Sequence, residues 1–177
     1  STFFNEQFEI KINKVINIKN LFMNKNYINI YNNLVKLTRN KELYQDFKNQ
    51  DTFSDRMIFF LLHFTFFLKI YKNDNNKEML QEIYDYVFRQ IELSVREIGY
   101  GDQSINKKMK DYLNLFYGMI DKIHNWDHLN NESKKEQLTI FLDNAQNSDY
   151  LVKYFDKYIE FLINNTLNSH IKGVVKY

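Results

Sequence analysis

The 177-residue chain has no cysteine, no proline, four glycines and a single alanine, Ala145. Without cysteine there is no disulfide scaffold, no thiol nucleophile, no thiolate zinc site and no cysteine-held cluster, so thiol redox chemistry and haem attachment through thioethers are excluded. Without proline, and with so little glycine, the chain lacks the usual punctuation of tight hairpin turns, which depend on positive φ or a fixed φ. Long helices are the default. Neither sign of charge dominates: 24 basic against 22 acidic side chains give a net charge of +2. That balance does not by itself imply a nucleic-acid ligand. What the chain does have is apolar bulk, 44% hydrophobic and 17% aromatic residues, enough to fill the core of a single domain. The excess of Lys, Asn, Ile, Tyr and Phe is what codon bias in an AT-rich genome produces.

Residues 1–25 read as a weakly organised extension and 26–177 as one helical domain. The stretch from Phe3 to Phe22 mixes Lys11, Lys14 and Lys19 with isolated apolar residues, and has neither the continuous apolar run nor the small-residue cleavage site of a secretory signal. From Tyr27 the spacing of Ile30, Tyr31, Leu34, Val35 and Leu37 predicts a first amphipathic helix, followed by a short one over 41–48. Thr52 and Asp55 form a T-x-x-D start signal for a helix over 53–71 that is apolar nearly all round. Arg56 and Lys69 bound only 12 residues of this segment, whereas a membrane span needs roughly 20. It is therefore expected to be a buried central helix, with His63 as a hydrogen-bonded core histidine.

A third helix carries Leu80, Ile83, Tyr84, Val87, Ile91, Val95 and Ile98 and ends at Gly99; Asp102 or Ser104 is expected to cap the next, which carries Ile105, Met109, Phe116, Ile120 and Ile123. Ser133 and Glu136 match a capping box for a shorter helix, and Ser148 or Asp149 opens a last one that frays toward Gly173. The sum is an all-α fold, one compact bundle of six or seven helices.

Phosphate-binding glycine loops, the G-x-S-x-G elbow, H-E-x-x-H and aspartate-rich diphosphate motifs are all missing, so no catalytic residue, cofactor or metal is assigned and the chain does not read as an enzyme. The nearest approach to a metal site is Asp121, His124, Asp127 and His128, at helical spacing; a polar helix end beside Trp126 is the simpler explanation. Lys107, Lys108 and Lys110, with Arg89 and Arg96, could form an electrostatic docking patch, although lysines so close in sequence spread over different helix faces.

Two stretches together resemble the ubiquinol-cytochrome c chaperones, whose mitochondrial members are assembly factors of respiratory complex III. The first is Asp51-Thr52-Phe53, then Arg56, then Leu61-Leu62-His63. The second runs from Arg96-Glu97-Ile98-Gly99-Tyr100-Gly101-Asp102 through Ser104-Ile105 and Lys107-Lys108-Met109-Lys110 to Phe116-Tyr117-Gly118. The similarity extends from about Tyr27 to Ile163. Met119 departs from it, standing where the family usually has a basic residue.

The resemblance implies a non-catalytic helper that binds newly made cytochrome b and promotes biogenesis of the ubiquinol-cytochrome c reductase complex. It further implies peripheral membrane contact, on the cytoplasmic face of a bacterial inner membrane or the matrix side of the mitochondrial one. A ribosome surface and a small assembly protein are the further expected partners; sequence-specific nucleic acid is not among them. Gly99 and Gly101 are expected to supply positive φ and Gly118 a close helix approach, with Asp51, His63, Asp102 and Phe116 as further architecture. Arg96, Glu97, Lys107, Lys108 and Tyr117 are left as candidates for partner contact. The competing reading is a lipid- or isoprenoid-binding protein or enzyme whose apolar cavity is lined by the Phe53 to Tyr71 helix.

Overall fold

The computed structural model describes residues 19–47, 52–143, 145 and 148–177, with side chains from Tyr27 onward. Asp51, at the head of the first motif, lies outside the described residues. Seven α-helices follow in order: α1 (Lys19–Thr38), α2 (Phe53–Tyr71), α3 (Lys77–Glu97), α4 (Asp102–Ile123), α5 (Asn131–Phe141), α6 (Asp149–Ile163) and α7 (Leu167–Lys172). Among the described residues there is no strand beyond one isolated bridge between Phe47 and Ala145. The all-α bundle expected from the sequence is what forms.

The central element is α2. Thr52 and Asp55 make the expected reciprocal cap: the Asp55 amide donates to Thr52 Oγ1 at 3.2 Å and the Thr52 amide to Asp55 Oδ2 at 3.3 Å. These bonds satisfy two amides that a helix start otherwise leaves without partners. Beyond the cap, α2 is apolar on every side because it is covered on every side, packing against α1, α4 and α6. Phe59, Phe64, Phe66 and Phe67 are fully buried. Phe64 stacks on Phe116 of α4 at 5.5 Å between ring centres, and Phe66 lies between Phe155 of α6 at 5.0 Å and Trp126 at 5.1 Å. Burying each such ring contributes about 1.5–3 kcal/mol, so this helix organises the core.

His63 is a satisfied core histidine, as expected. It is completely buried; one ring nitrogen bonds the Phe59 carbonyl at 2.6 Å and the other the Tyr154 hydroxyl at 2.7 Å. A carbonyl only accepts, so the proton sits on Nδ1 and Nε2 accepts from Tyr154. Burial pushes its pKa down to about 4, because the charged ring would be stranded away from water.

Five local expectations differ from what forms. The short helix expected over 41–48, whose last residue Lys48 lies outside the described residues, is over 41–47 a single 3-10 turn, Lys41–Tyr44, started by Asn40, whose Oδ1 accepts from the Glu42 amide. It ends early because the Tyr44 hydroxyl turns back to the Thr38 carbonyl at 2.6 Å and Leu43 is drawn into the core. Ser133 and Glu136 do not form the capping box of α5. Asn130 caps it instead, accepting from the Ser133 amide at 2.9 Å, so the helix begins before Ser133.

Neither Asp102 nor Ser104 caps α4: its N-cap is Gly101, which makes no side-chain cap bond. The tail of the last expected helix is a separate element, α7, started by Thr166, whose Oγ1 accepts from the Ser169 amide, and ended by Gly173 at φ +72°. Asn29 of α1 donates through Nδ2 to the Ile171 carbonyl at 3.0 Å, closing an otherwise open carbonyl of that last turn. At the other end of the chain, α1 starts at Lys19, ahead of the expected onset at Tyr27.

Candidate functional site

The second motif forms the hinge between α3 and α4. Gly99 takes φ +98°, a conformation that residues with a side chain rarely adopt, and its amide donates to the Arg96 carbonyl at 3.0 Å. Gly101, by contrast, has φ −69°, and a Cβ built on it meets nothing within 4 Å. The expectation that both glycines supply positive φ therefore holds for Gly99 and fails for Gly101. Gly118 sits half-buried on α4, where a Cβ would meet the Phe141 ring of α5 at 3.7 Å. That is ordinary contact, so the close helix approach expected there does not demand glycine.

Arg96 spans the hinge. Its Nη1 reaches Asp102 Oδ1 and its Nη2 reaches Glu92 Oε1, each at 3.1 Å, while Arg89 Nη1 bonds the other Glu92 oxygen at 2.9 Å. The bonds to Glu92 and then Asp102 raise the Arg96 pKa above its ordinary value. Arg96, Glu97 and Lys107 are exposed around the turn; Lys108 is half-buried, with its Nζ over the Tyr100 ring 5.6 Å from the centroid. The turn thus leaves Arg96 and Glu97 at the end of α3 and Lys107 and Lys108 in the first two turns of α4.

Tyr117 does not join them. It lies ten residues beyond Lys107 on α4, about 15 Å along the axis. It is half-buried, and its hydroxyl meets that of the buried Tyr84 at 3.1 Å. Its neighbour Phe116 is fully buried against Phe64. Met119, the departure from the family pattern, is also fully buried, next to Thr65 of α2. An inward-facing position explains why an apolar side chain stands there.

Two residues at this tip were not among the candidates. Ile98 is 51% exposed and Tyr100 39%, both in the turn itself, with Leu93 exposed one turn back on α3. Ile98 continues the stripe of Ile91 and Val95 at helical spacing and Tyr100 follows the helix, so both read as core; they are exposed because α3 ends at Glu97 and the bundle ends with it. Exposed apolar side chains beside lysines make a surface that can hold both a hydrophobic segment and an acidic one.

Asp121, His124, Asp127 and His128 are drawn into structural roles where the structure shows their bonds. Lys69 Nζ donates to Asp127 Oδ2 at 2.9 Å and to the His124 carbonyl at 3.1 Å, and His124 Nδ1 bonds the Asp121 carbonyl. Among the described residues, no group of three or more His, Asp or Glu is placed to hold a metal ion. Nor, among them, is any helix long and apolar enough to cross a membrane.

The cavity of the competing reading is not lined by the phenylalanines of the Phe53 to Tyr71 helix: Phe59, Phe60, Phe64, Phe66 and Phe67 fill the core and Phe53 is exposed. A cleft of about 570 Å³ opens at the C-terminal end of α2, to which that helix contributes Thr65, Leu68 and Lys69.

The family model described as ubiquinol-cytochrome C chaperone matches residues 45–164, from just before α2 to just past α6. The chain belongs to the ubiquinol-cytochrome C chaperone family. The match begins later than the resemblance read from the motifs, which reached back to Tyr27. No curated protein and no solved structure matches the chain.

Proposed function

We propose that the protein is a non-catalytic chaperone in the assembly of the ubiquinol-cytochrome c reductase complex, and that it binds newly made cytochrome b through the α3–α4 hinge. Membership of the family over 45–164 is the observation that carries the reading. Support for the location comes from the hinge, where Ile98 and Tyr100 are exposed beside Lys107 and Lys108 on a turn pinned by Arg96.

Such a surface suits a client that is a hydrophobic helix with a polar loop. The apolar side chains cover part of the helix until it inserts, and the lysines hold an acidic stretch by salt-sensitive attraction. Tyr117, farther along α4, belongs to the same proposal as an outlying contact. A peripheral position at the membrane, together with contact to a ribosome surface and a small assembly protein, would bring the hinge to the client as it emerges.

The test is genetic. A strain lacking the gene, or carrying Lys107→Glu with Lys108→Glu, accumulates less assembled ubiquinol-cytochrome c reductase, measured by native electrophoresis of membranes. Normal levels of the complex in the deletion strain contradict the proposal.

A further inference from the structure

Charge is segregated along the chain. Residues 19–41 carry five basic and no acidic side chains, and 161–177 two lysines and no acidic side chain, whereas 42–160 carry 15 basic against 20 acidic. The fold brings the two acid-free stretches together. α7 packs on α1, Asn29 Nδ2 donates to the Ile171 carbonyl at 3.0 Å, and Gly173 comes against the Asn29 side chain. Beyond Gly173, residues 174–177 are held onto α6 by Tyr177, whose ring lies 4.7 Å from that of Phe161 and 5.7 Å from that of Tyr158 between centroids.

The outer side of α1, α7 and 174–177 together make one face. Lys36 and Arg39 are exposed at the end of α1, Lys41 follows in the next turn, and Lys172 and Lys176 are exposed on α7 and just beyond it. None of the five joins an ion pair among the described residues. Most carboxylates of the adjoining helices are engaged elsewhere. On α3 the Tyr27 hydroxyl donates to Glu82 at 2.7 Å, Gln81 donates to Asp85 at 3.0 Å, and Arg89 and Arg96 hold Glu92. On α6, Lys135 and Lys134 hold Asp149 and Asp156. Glu78 adjoins Lys77, Glu97 adjoins Arg96, and Glu160 lies one turn from Lys157. Asp46 and Glu42, the latter close enough to act on Tyr177, remain at one edge against five basic side chains, so the face is positive.

We infer that this face lies on an anionic bilayer surface, with Lys36, Arg39, Lys41, Lys172 and Lys176 among the lipid headgroups and Val174 and Tyr177 at the edge of the acyl region. Val174 is 67% exposed and Tyr177 52%, and they alternate with Lys172 and Lys176 along the chain. A bilayer interface meets both kinds of side chain within a few ångströms, and tyrosine is favoured at that depth. A nucleic-acid backbone would use the charges and leave Val174 in water. The inference gives a surface to the peripheral membrane position proposed above and rests on that part of the reading, not on the client.

Flotation of the purified protein with phosphatidylcholine vesicles containing about 30% phosphatidylserine tests it, with phosphatidylcholine alone and a short RNA duplex as separate arms. The expected result is binding at least roughly tenfold tighter to the anionic vesicles than to the neutral ones or the RNA, and lost at about 0.5 M salt. Lys36→Gln with Arg39→Gln weakens it roughly tenfold, since each basic side chain at such a surface contributes up to about fivefold. Val174→Ser weakens it roughly threefold. Lys110→Gln with Lys122→Gln, the same change of net charge at exposed positions of α4, stays within about twofold of wild type. Far-UV circular dichroism checks that each variant is folded; if Lys36→Gln with Arg39→Gln unfolds, Lys172→Gln with Lys176→Gln decides. Equal binding to neutral vesicles, tighter binding to the RNA, no binding to any arm, or equal loss in the α1 and α4 variants overturns the inference. Flotation involves no cytochrome b, so its failure leaves the client proposal standing, and failure to recover cytochrome b leaves this face standing.

Discussion

The Tyr154 hydroxyl donates a hydrogen bond of 2.7 Å to Nε2 of His63, joining α6 to the middle of α2 inside the core. With the ring tautomer fixed by the Phe59 carbonyl, this bond fills the last acceptor of a histidine that has no access to water. Tyr154→Phe keeps the ring and removes the donor, leaving a buried nitrogen without a partner. The expected cost is about 1–3 kcal/mol of folding stability, read from urea unfolding at pH 7.5. The single tryptophan, Trp126, is fully buried and reports the transition by fluorescence.

His63 and His170 both lose basicity on folding. Each is pushed down to about 4 by burial, from 6.5 in an open chain. The His170 Nε2 lies 2.8 Å from the Tyr71 hydroxyl, which also reaches the Leu162 and Asn165 carbonyls. Between pH 6.5 and 4 the unfolded chain takes up protons at these positions and the folded chain does not, so stability is full above pH 6.5 and falls as the medium is acidified. The maximal slope is about 1.4 kcal/mol per pH unit for each histidine. Denaturant midpoints measured from pH 7 to pH 5, above the range of ordinary carboxylates, check this; a flat profile contradicts it.

The glycines separate by conformation. Gly99→Ala forces a side chain into φ +98° and is expected to cost about 1 kcal/mol. Gly173→Ala combines φ +72° with a Cβ only 2.8 Å from Asn29 Cγ, displacing the side chain that closes the end of α7, and costs about 1–2 kcal/mol. Gly101→Ser, at an unstrained N-cap that lacks a side-chain acceptor, gains a few tenths of a kcal/mol. Thermal unfolding of the three variants gives the ranking, and equal losses at Gly99 and Gly101 would contradict it.

Local signals in this sequence were readable where the partners are close along the chain. The period of α2, α3 and α4, the Thr52–Asp55 cap and the Gly99 turn all follow from residues within one or two turns of each other. The capping box at Ser133 was misleading because Asn130, three residues earlier, offers an equally good acceptor and gives a longer helix. The division of the last helix was signalled only by Thr166.

Nothing in the sequence near Gly173 announces that Asn29, from the first helix, packs against it, because only the assembled fold brings them together. At the hinge, the motif pointed to the charged residues but not to the exposure of Ile98 and Tyr100, which depends on where the bundle ends. Tyr117 is a contact candidate in the sequence only because no architectural role can be read for it there; the fold brings its hydroxyl against that of Tyr84.

The charge reversal at the hinge separates binding from folding. Lys107 is exposed and Lys108 only half-buried against Tyr100, so Lys107→Glu with Lys108→Glu is expected to leave the unfolding midpoint nearly unchanged. A large loss of stability would mean that the lysines hold the hinge together, and the variant could then say nothing about a client.

Recovery of newly made cytochrome b by crosslinking and affinity capture of the tagged protein tests the central claim most directly. The account predicts that the wild-type chain recovers it, that the Lys107→Glu, Lys108→Glu chain at equal abundance recovers far less, and that raised salt before crosslinking has the same effect. Capture without cytochrome b, or equal recovery by the two chains, would contradict the assignment of the α3–α4 hinge as the client-binding surface.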